Sequence, residues 1–149
     1  MARRLVALKL SGAEYGVEVS EVFAAMGNLR ISPLPGSPPV LAGIANMRGS
    51  LLPVLDLRPW LGLEQTKLGP EAAIVVVKEG ELQAGLLAEE LIGMLSVAEE
   101  LIVPAPATGP APTTAYLREA AQVDDKMLVI LDVAKYLTDT AGKFWGEPA

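Results

Sequence analysis

The feature that most constrains this chain is an internal match. Ala45–Leu61 lies over Ala121–Leu137 without a gap, at an offset of 76 residues. Five of the 17 pairs are identical: Ala45/Ala121, Leu52/Leu128, Leu55/Leu131, Asp56/Asp132 and Leu61/Leu137. Asn46/Gln122, Val54/Ile130 and Trp60/Tyr136 are conservative. A second ungapped match puts Leu5–Val22 over Ile74–Leu91 at an offset of 69, with Val6/Val75, Lys9/Lys78, Gly16/Gly85 and Glu21/Glu90 identical. The second half therefore carries about seven extra residues, and the Pro-rich 104–112 segment is their natural place. Two hairpins followed by a helix share some of this pattern by chance. The preferred reading is one β-unit of roughly 65–75 residues used twice. Units of that size bury modest cores alone and gain by packing on each other. A groove between them is a natural place for a partner.

Local signals agree. Eight of the 12 prolines form two clusters, Pro33, Pro35, Pro38 and Pro39, and Pro104, Pro106, Pro110 and Pro112. Proline fixes φ and removes a donor, so both clusters belong to loops or sheet edges. Around them run short β-type segments: Leu5–Leu10, Tyr15–Val19, Leu29–Ser32, Ile44–Met47, Ser50–Asp56, Ala72–Lys78, Leu82–Leu87, Ile92–Val97, Tyr116–Val123 and Lys126–Asp132. Many short strands separated by turn signals favour small barrels or a sandwich. Arg48-Gly49 and Asp124-Asp125 read as hairpin turns. Helices are few and short: Glu21–Met26 capped by Ser20, a turn from Asp56 through Trp60, and Val133–Leu137, extending to Thr140, capped by Asp132. The tail ending in Phe144–Ala149 has no clear period and reads as loosely held.

Composition narrows the function. The chain of 149 residues has 12 basic and 18 acidic side chains, a net charge of −6, and neither Cys nor His. Disulfides, thiolate nucleophiles, the usual zinc sites and His-based dyads are excluded. The acidic balance argues against a nucleic-acid partner. The longest apolar runs, such as Leu51–Leu55, are far below the roughly 20 residues of a membrane span, so no direct membrane insertion is expected. The N-terminus has a faint signal-peptide look, but Lys9 interrupts its apolar stretch, and it reads as a first strand in a cytoplasmic protein. No Gly-rich phosphate loop or nucleophile elbow is present. The pairs Glu89-Glu90, Glu99-Glu100 and Asp124-Asp125 read as solvated turns, since adjacent carboxylates make no cage. Asp56 and Asp132, equivalent in the repeat, read as helix caps rather than catalytic acids. A binding module is favoured over a metal- or nucleotide-dependent enzyme. No catalytic residue, cofactor or metal is expected.

The stretch Gly43–Arg58, with Asn46-Met47-Arg48-Gly49 before an apolar strand ending in Pro53-Val54-Leu55-Asp56-Leu57-Arg58, resembles the signature of the CheW family of chemotaxis coupling proteins. Tyr15–Val19 is similar to the family's early strand, and Ile31–Pro35 with Pro38 to its proline-containing loop. Leu95–Val97, Ile102 and Pro104–Pro106 resemble its later half, and Val123–Leu131 its last hairpin. The likeness covers about residues 4–138. It implies a mainly β fold of two intertwined five-stranded β-barrels with a few short helices. Residues 1–149 are then a single CheW-like domain, with approximate subdomains 14–70 and 71–137, the N-terminal strand 4–10 shared, and a tail of 138–149.

The resemblance also implies a non-enzymatic adaptor for signal transduction in motility. Its partners would be the cytoplasmic tip of methyl-accepting chemoreceptors, the regulatory domain of a CheA-type histidine kinase, and other CheW-like proteins. It would be recruited to membrane-associated or cytoplasmic receptor clusters. The partner-binding residues carried over are Val22, Met26, Asn46, Arg48 and Gly49. Arg48 matches the family's coupling arginine; Asn46 and Gly49 shape its turn; Val22 matches an apolar position on a short helix facing the receptor groove. Phe23 and Met26 are apolar neighbours that complete the lining. Arg58 reads as a solvated post-strand residue, with pairing to an acidic neighbour as the alternative. Ala24 stands where the family commonly carries Glu, and Met47 where it carries Leu. The first departure motivates an alternative, an accessory array component that binds receptors but not the kinase.

Overall fold

The computed structural model describes residues 2–27, 30–36, 40–59, 61–65, 67–104 and 117–144. Leu29, Pro38, Pro39, Trp60, Tyr116 and the segments 105–115 and 145–149 lie outside the described residues. The strands are β1 (Ala2–Leu10), β2 (Ala13–Glu18), β3 (Val22–Gly27), β4 (Ile31–Ser32), β5 (Leu41–Met47), β6 (Ser50–Leu55), β7 (Ala73–Glu79), β8 (Leu82–Ala88), β9 (Glu90–Ala98), β10 (Ile102–Pro104), β11 (Leu117–Val123) and β12 (Lys126–Leu131). One helix, α1 (Val133–Phe144), and 3-10 turns at Val19–Glu21 and Glu99–Leu101 complete the described elements.

The strands form two sheets, ordered β3-β7-β8-β6-β5-β4 and β10-β11-β12-β2-β1-β9. In each, the two end strands are neighbours along the chain: β3 runs into β4, and β9 into β10 through the 99–101 turn. The two edges of each sheet thus come from consecutive strands, as in a closed five-stranded barrel. Closure removes the exposed edges that small sheets must otherwise protect. The barrels are interlaced. The β1–β2 hairpin belongs with β9–β12, while β7–β8 belongs with β3–β6. The chain crosses between barrels at Val19–Glu21 and again at Glu89. We call β3–β8 the first barrel and the other sheet the second.

The repeat is carried into the register. Val54 pairs in parallel with Gly85, and Ile130 with Gly16, the same two positions in each half. Bulges also correspond. Phe23 is the extra residue between Val22 and Ala24, and Ile92 between Leu91 and Gly93. Ala42 and Arg118 repeat the relation in the β5–β6 and β11–β12 pairs. A bulge bends its strand and increases its twist, which a five-stranded barrel needs in order to close.

Alternating side chains then split into two sets. Ala45, Leu52, Val54, Ile74, Val76 and Leu87 fill the first barrel. Leu5, Val97, Ala121, Leu128 and Ile130 fill the second. Four of these positions coincide under the repeat. A third cluster joins the barrels, with Leu8, Leu10 and Val17 from one, Leu55, Val75, Val77 and Leu86 from the other, and Val133, Tyr136 and Leu137 from α1. Among the described residues this seam is packed core, not the open groove that the repeat suggested. The openings lie at the barrel ends.

One helix expectation is corrected. Residues 22–27 form β3, with alternating half-buried and exposed side chains, paired to β7. The Ala24-Ala25 pair favours helix locally, but β7 offers a Val-rich edge, and tertiary pairing overrides propensity. The turn expected after Asp56 forms, with Asp56 Oδ1 accepting the Arg58 N–H at 3.1 Å, Leu61 N–H donating to Leu57 O at 3.0 Å and Leu63 N–H to Arg58 O at 2.8 Å. The third expectation holds, with Asp132 Oδ1 accepting the Lys135 N–H at 3.2 Å. That helix reaches Phe144 rather than fading at Thr140.

Candidate functional site

The β5–β6 hairpin carries three of the residues expected at the site. Met47 pairs with Ser50, leaving Arg48 and Gly49 as a two-residue loop with φ of 53° and 89°. Positive φ at both places defines the turn whose twist matches that of the flanking strands. Asn46 Oδ1 accepts the Gly49 N–H at 2.8 Å and locks the loop. Gly49 is required by its φ; Arg48 adopts the left-handed conformation at some cost for a residue with a Cβ. Its guanidinium is exposed and makes no ion pair among the described residues.

Register places an apolar surface around it. β6 and β8 run parallel with Val54 beside Gly85, so Leu51 is level with Leu82. Leu82 pairs with Glu79 across the β7–β8 turn, and Val22 pairs with Val77. Leu51 is 73% exposed and Phe23 56%, the latter capped by Lys78 Nζ at 5.5 Å from the ring centroid. Val22 is at this end of the barrel, on a strand rather than a helix, and packs against the seam cluster. Met26 is at the other end of β3. It packs on the first barrel's interior and borders a small opening with Ile31 and Leu68. The hairpin holds Asn46, Arg48 and Gly49 together, whereas Val22 packs on the seam cluster and Met26 packs with Met47 on the first barrel's interior.

The second barrel has a counterpart end. Asp124, the equivalent of Arg48, has φ 55°, and Met127, the equivalent of Leu51, is 53% exposed. Ile92, the equivalent of Phe23, is exposed as well. A cavity of about 650 Å³ opens there, between the β1–β2 turn (Gly12–Glu14), Ile92 and Leu95 on β9, and the Val123–Leu128 hairpin. Glu14, Asp124, Asp125 and Lys126 rim it, and Lys126 Nζ lies 3.6 Å from Glu14 Oε2. One end offers a cation at its hairpin, the other an acidic pair.

Two ionic networks stand out: the first is the less favoured alternative for Arg58, and the second escaped the sequence reading. Arg58 is 4% exposed, not solvated. Its Nε and one terminal nitrogen donate to Asp56 Oδ1 and Oδ2, both at 2.9 Å, and its backbone N–H to Asp56 Oδ1 at 3.1 Å. Its other terminal nitrogen donates to Glu89 Oε2 at 3.2 Å, and Gln65 Nε2 to Asp56 Oδ2 at 2.9 Å. Burial alone would raise the Asp56 pKa; the hydrogen bonds from Arg58 and Gln65 outweigh it and hold the carboxyl below its ordinary value. Asp56 hydrogen bonds raise the Arg58 pKa in turn. Asp56 is therefore a structural anion. The sequence signal for this pair was the Asp-x-Arg spacing at a strand end, where Asp56 accepts the N–H two residues on.

In the second network Arg3 donates to Glu18 at 2.9 Å, to Glu99 at 3.2 Å and to both Glu119 oxygens, tying β1, the end of β2, the 99–101 turn and β11 together. Among the described residues, no group of three or more acidic side chains is arranged to hold a metal, and no helix is long and apolar enough to cross a membrane.

Interlaced five-stranded barrels with a glycine-closed arginine hairpin define a class of protein, and comparison with known proteins gives the same class. The family model described as the CheW-like domain matches residues 4–141. The chain therefore belongs to the CheW family of chemotaxis coupling proteins. It is 26% identical over 129 residues to the chemotaxis protein CheW of Klebsiella aerogenes, covering 87% of this chain and 78% of that one. It is 33% identical over 89 residues to the protein PilI of Pseudomonas aeruginosa, covering 60% of this chain and 50% of that one. The crystal structure of the scaffolding protein TtCheW from Thermoanaerobacter tengcongensis superposes with a TM-score of 0.81 at 27% identity, covering 88% of this chain and 89% of that one.

Proposed function

We propose that this chain is a non-enzymatic adaptor that couples methyl-accepting chemoreceptors to a CheA-type histidine kinase, recruited to receptor clusters from the cytoplasm. The observation that carries the reading is Arg48: a cation without an ion-pair partner among the described residues, held at positive φ on a rigid hairpin that also carries exposed Leu51. A helix of the receptor tip would meet this end. Arg48 would bond its carboxylates or carbonyls, Asn46 and Gly49 would fix the loop, and Val22 would back the surface from beneath. Met26 would serve a neighbouring contact at the other end of β3. The kinase regulatory domain would meet a barrel end, for which the cavity beside Asp124 is suited by its apolar lining and polar rim. Other CheW-like proteins would compete for the same ends.

The test is co-sedimentation of the purified chain with assembled receptor cytoplasmic fragments. A micromolar contact needs about −8 kcal/mol, and an anchor worth about 2 kcal/mol makes a difference of roughly 30-fold. Arg48→Glu should lose about that much binding while remaining folded; unchanged binding sinks the reading.

Ala24 favours a second reading. The family commonly has Glu there; here a small half-buried side chain pairs with Val76, so a charge that could contact a partner is missing. An accessory component would bind receptors and not the kinase. Pull-down with the kinase regulatory domain separates the two, and robust capture excludes the accessory role.

A further inference from the structure

We propose that Glu89 is a positioning residue. It clasps the β1–β2 turn of the second barrel to the Arg58–Asp56 ion pair of the first, and so sets one wall of the cavity beside Asp124. Glu89 sits where the chain crosses from β8 to β9, between the barrels. Its backbone N–H donates to Lys9 O at 2.9 Å, at the end of β1. One carboxylate oxygen accepts the Gly12 N–H at 3.2 Å, and the other accepts from Arg58 at 3.2 Å. Ser11 Oγ, in the same turn, donates to the carbonyl of Glu64 in the loop after Arg58. Gly12, Ala13 and Glu14 then form the cavity wall.

The duplicated fold does not require this clasp. Under the repeat, Arg58 corresponds to Ala134 and Glu89 to Ser20, so the arrangement is made once. Its chemistry suits positioning. A buried bidentate arginine has little freedom, and the carboxylate it holds presents a fixed acceptor to a turn otherwise exposed to water. Asp56 follows β6 directly, at the far end of that strand from the Arg48 hairpin. The polar chain Asp56–Arg58–Glu89–Gly12 therefore runs from the end of β6 opposite the Arg48 hairpin to the wall of the acidic cavity. The docking role of the cavity rests on the adaptor reading above; the clasp does not.

Amide hydrogen exchange on the full chain tests it. Glu89→Ala should accelerate exchange at Gly12 about tenfold, the loss expected for a hydrogen bond to a charged acceptor, with Ile74–Val77 in β7 unchanged. Glu89→Gln keeps an oxygen for the Gly12 N–H and should accelerate it less than Glu89→Ala does. Arg58→Lys touches neither Gly12 nor the cavity, and should still accelerate Gly12, because it releases the carboxylate. If that variant fails to fold, the two Glu89 variants decide alone. Wild-type exchange at Gly12 in Glu89→Ala overturns the proposal, and so does acceleration at Gly12 no greater than at Ile74–Val77. Neither result bears on receptor binding through Arg48, so this proposal and the adaptor reading fail separately.

Discussion

Gly16 and Gly85 occupy one place in a duplicated structure. A Cβ on Gly16 would meet Leu128 at 3.1 Å and Leu5 at 3.6 Å; a Cβ on Gly85 would meet Ile74 at 2.5 Å and Leu52 at 3.3 Å. Leu128 and Leu52 are equivalent, and so are Leu5 and Ile74. Each glycine sits where β12 or β6 joins its barrel in parallel, and its missing side chain leaves room for the leucine opposite.

Gly85→Ala should therefore destabilise the chain by about 1–3 kcal/mol, the usual cost of overpacking. Gly16→Ala should cost less, because its nearest contact is looser. Urea midpoints at constant m-value measure both. Equal midpoints for the two variants would show that the first barrel relaxes around Ile74.

Removing Arg58 leaves a carboxylate buried without its main counter-charge. Arg58→Met should cost about 3–5 kcal/mol, and Asp56→Asn combined with it should recover part of that loss. A double-mutant cycle by urea denaturation reads the coupling; additive losses would mean that the pair contributes nothing specific.

Acid should find the same pair. The Asp56 carboxyl is depressed in the folded chain from an ordinary value of 3.8. Its contribution is complete above that value and is lost as pH falls from there through the folded pKa, because the unfolded chain takes up the proton first. Stability measured between pH 5 and pH 2 should fall less steeply in Asp56→Asn than in the unaltered chain. Parallel curves would exclude the carboxyl as a contributor.

Arg48→Asn should separate stability from binding. Asn-Gly is the preferred pair for this turn, so the substitution should raise stability by up to about 1 kcal/mol, while receptor co-sedimentation falls as it does for Arg48→Glu. A gain in both would remove Arg48 from the contact. Val22→Asp is the less informative variant. Val22 packs on the seam cluster, and an unpaired carboxylate there should destabilise the chain by a few kcal/mol, measurable as a lowered Tm before any binding assay.

The sequence by itself determined the duplication, the order of ten strands, both hairpin turns and the Asp132 cap, because hydrophobic alternation, turn chemistry and capping are written within a few residues. Family membership was legible for the same reason, since its motifs are short and ordered. Tertiary structure decided the rest. Residues 22–27 became a strand because β7 offers them an edge. Arg58 became buried because Glu89, 31 residues away, is brought to it at the crossing between barrels. The hairpins were exchanged between the barrels because pairing partners are chosen by a closed, packed arrangement of the whole chain. No local pattern distinguishes β1–β2 joining β12 from the same hairpin joining β3.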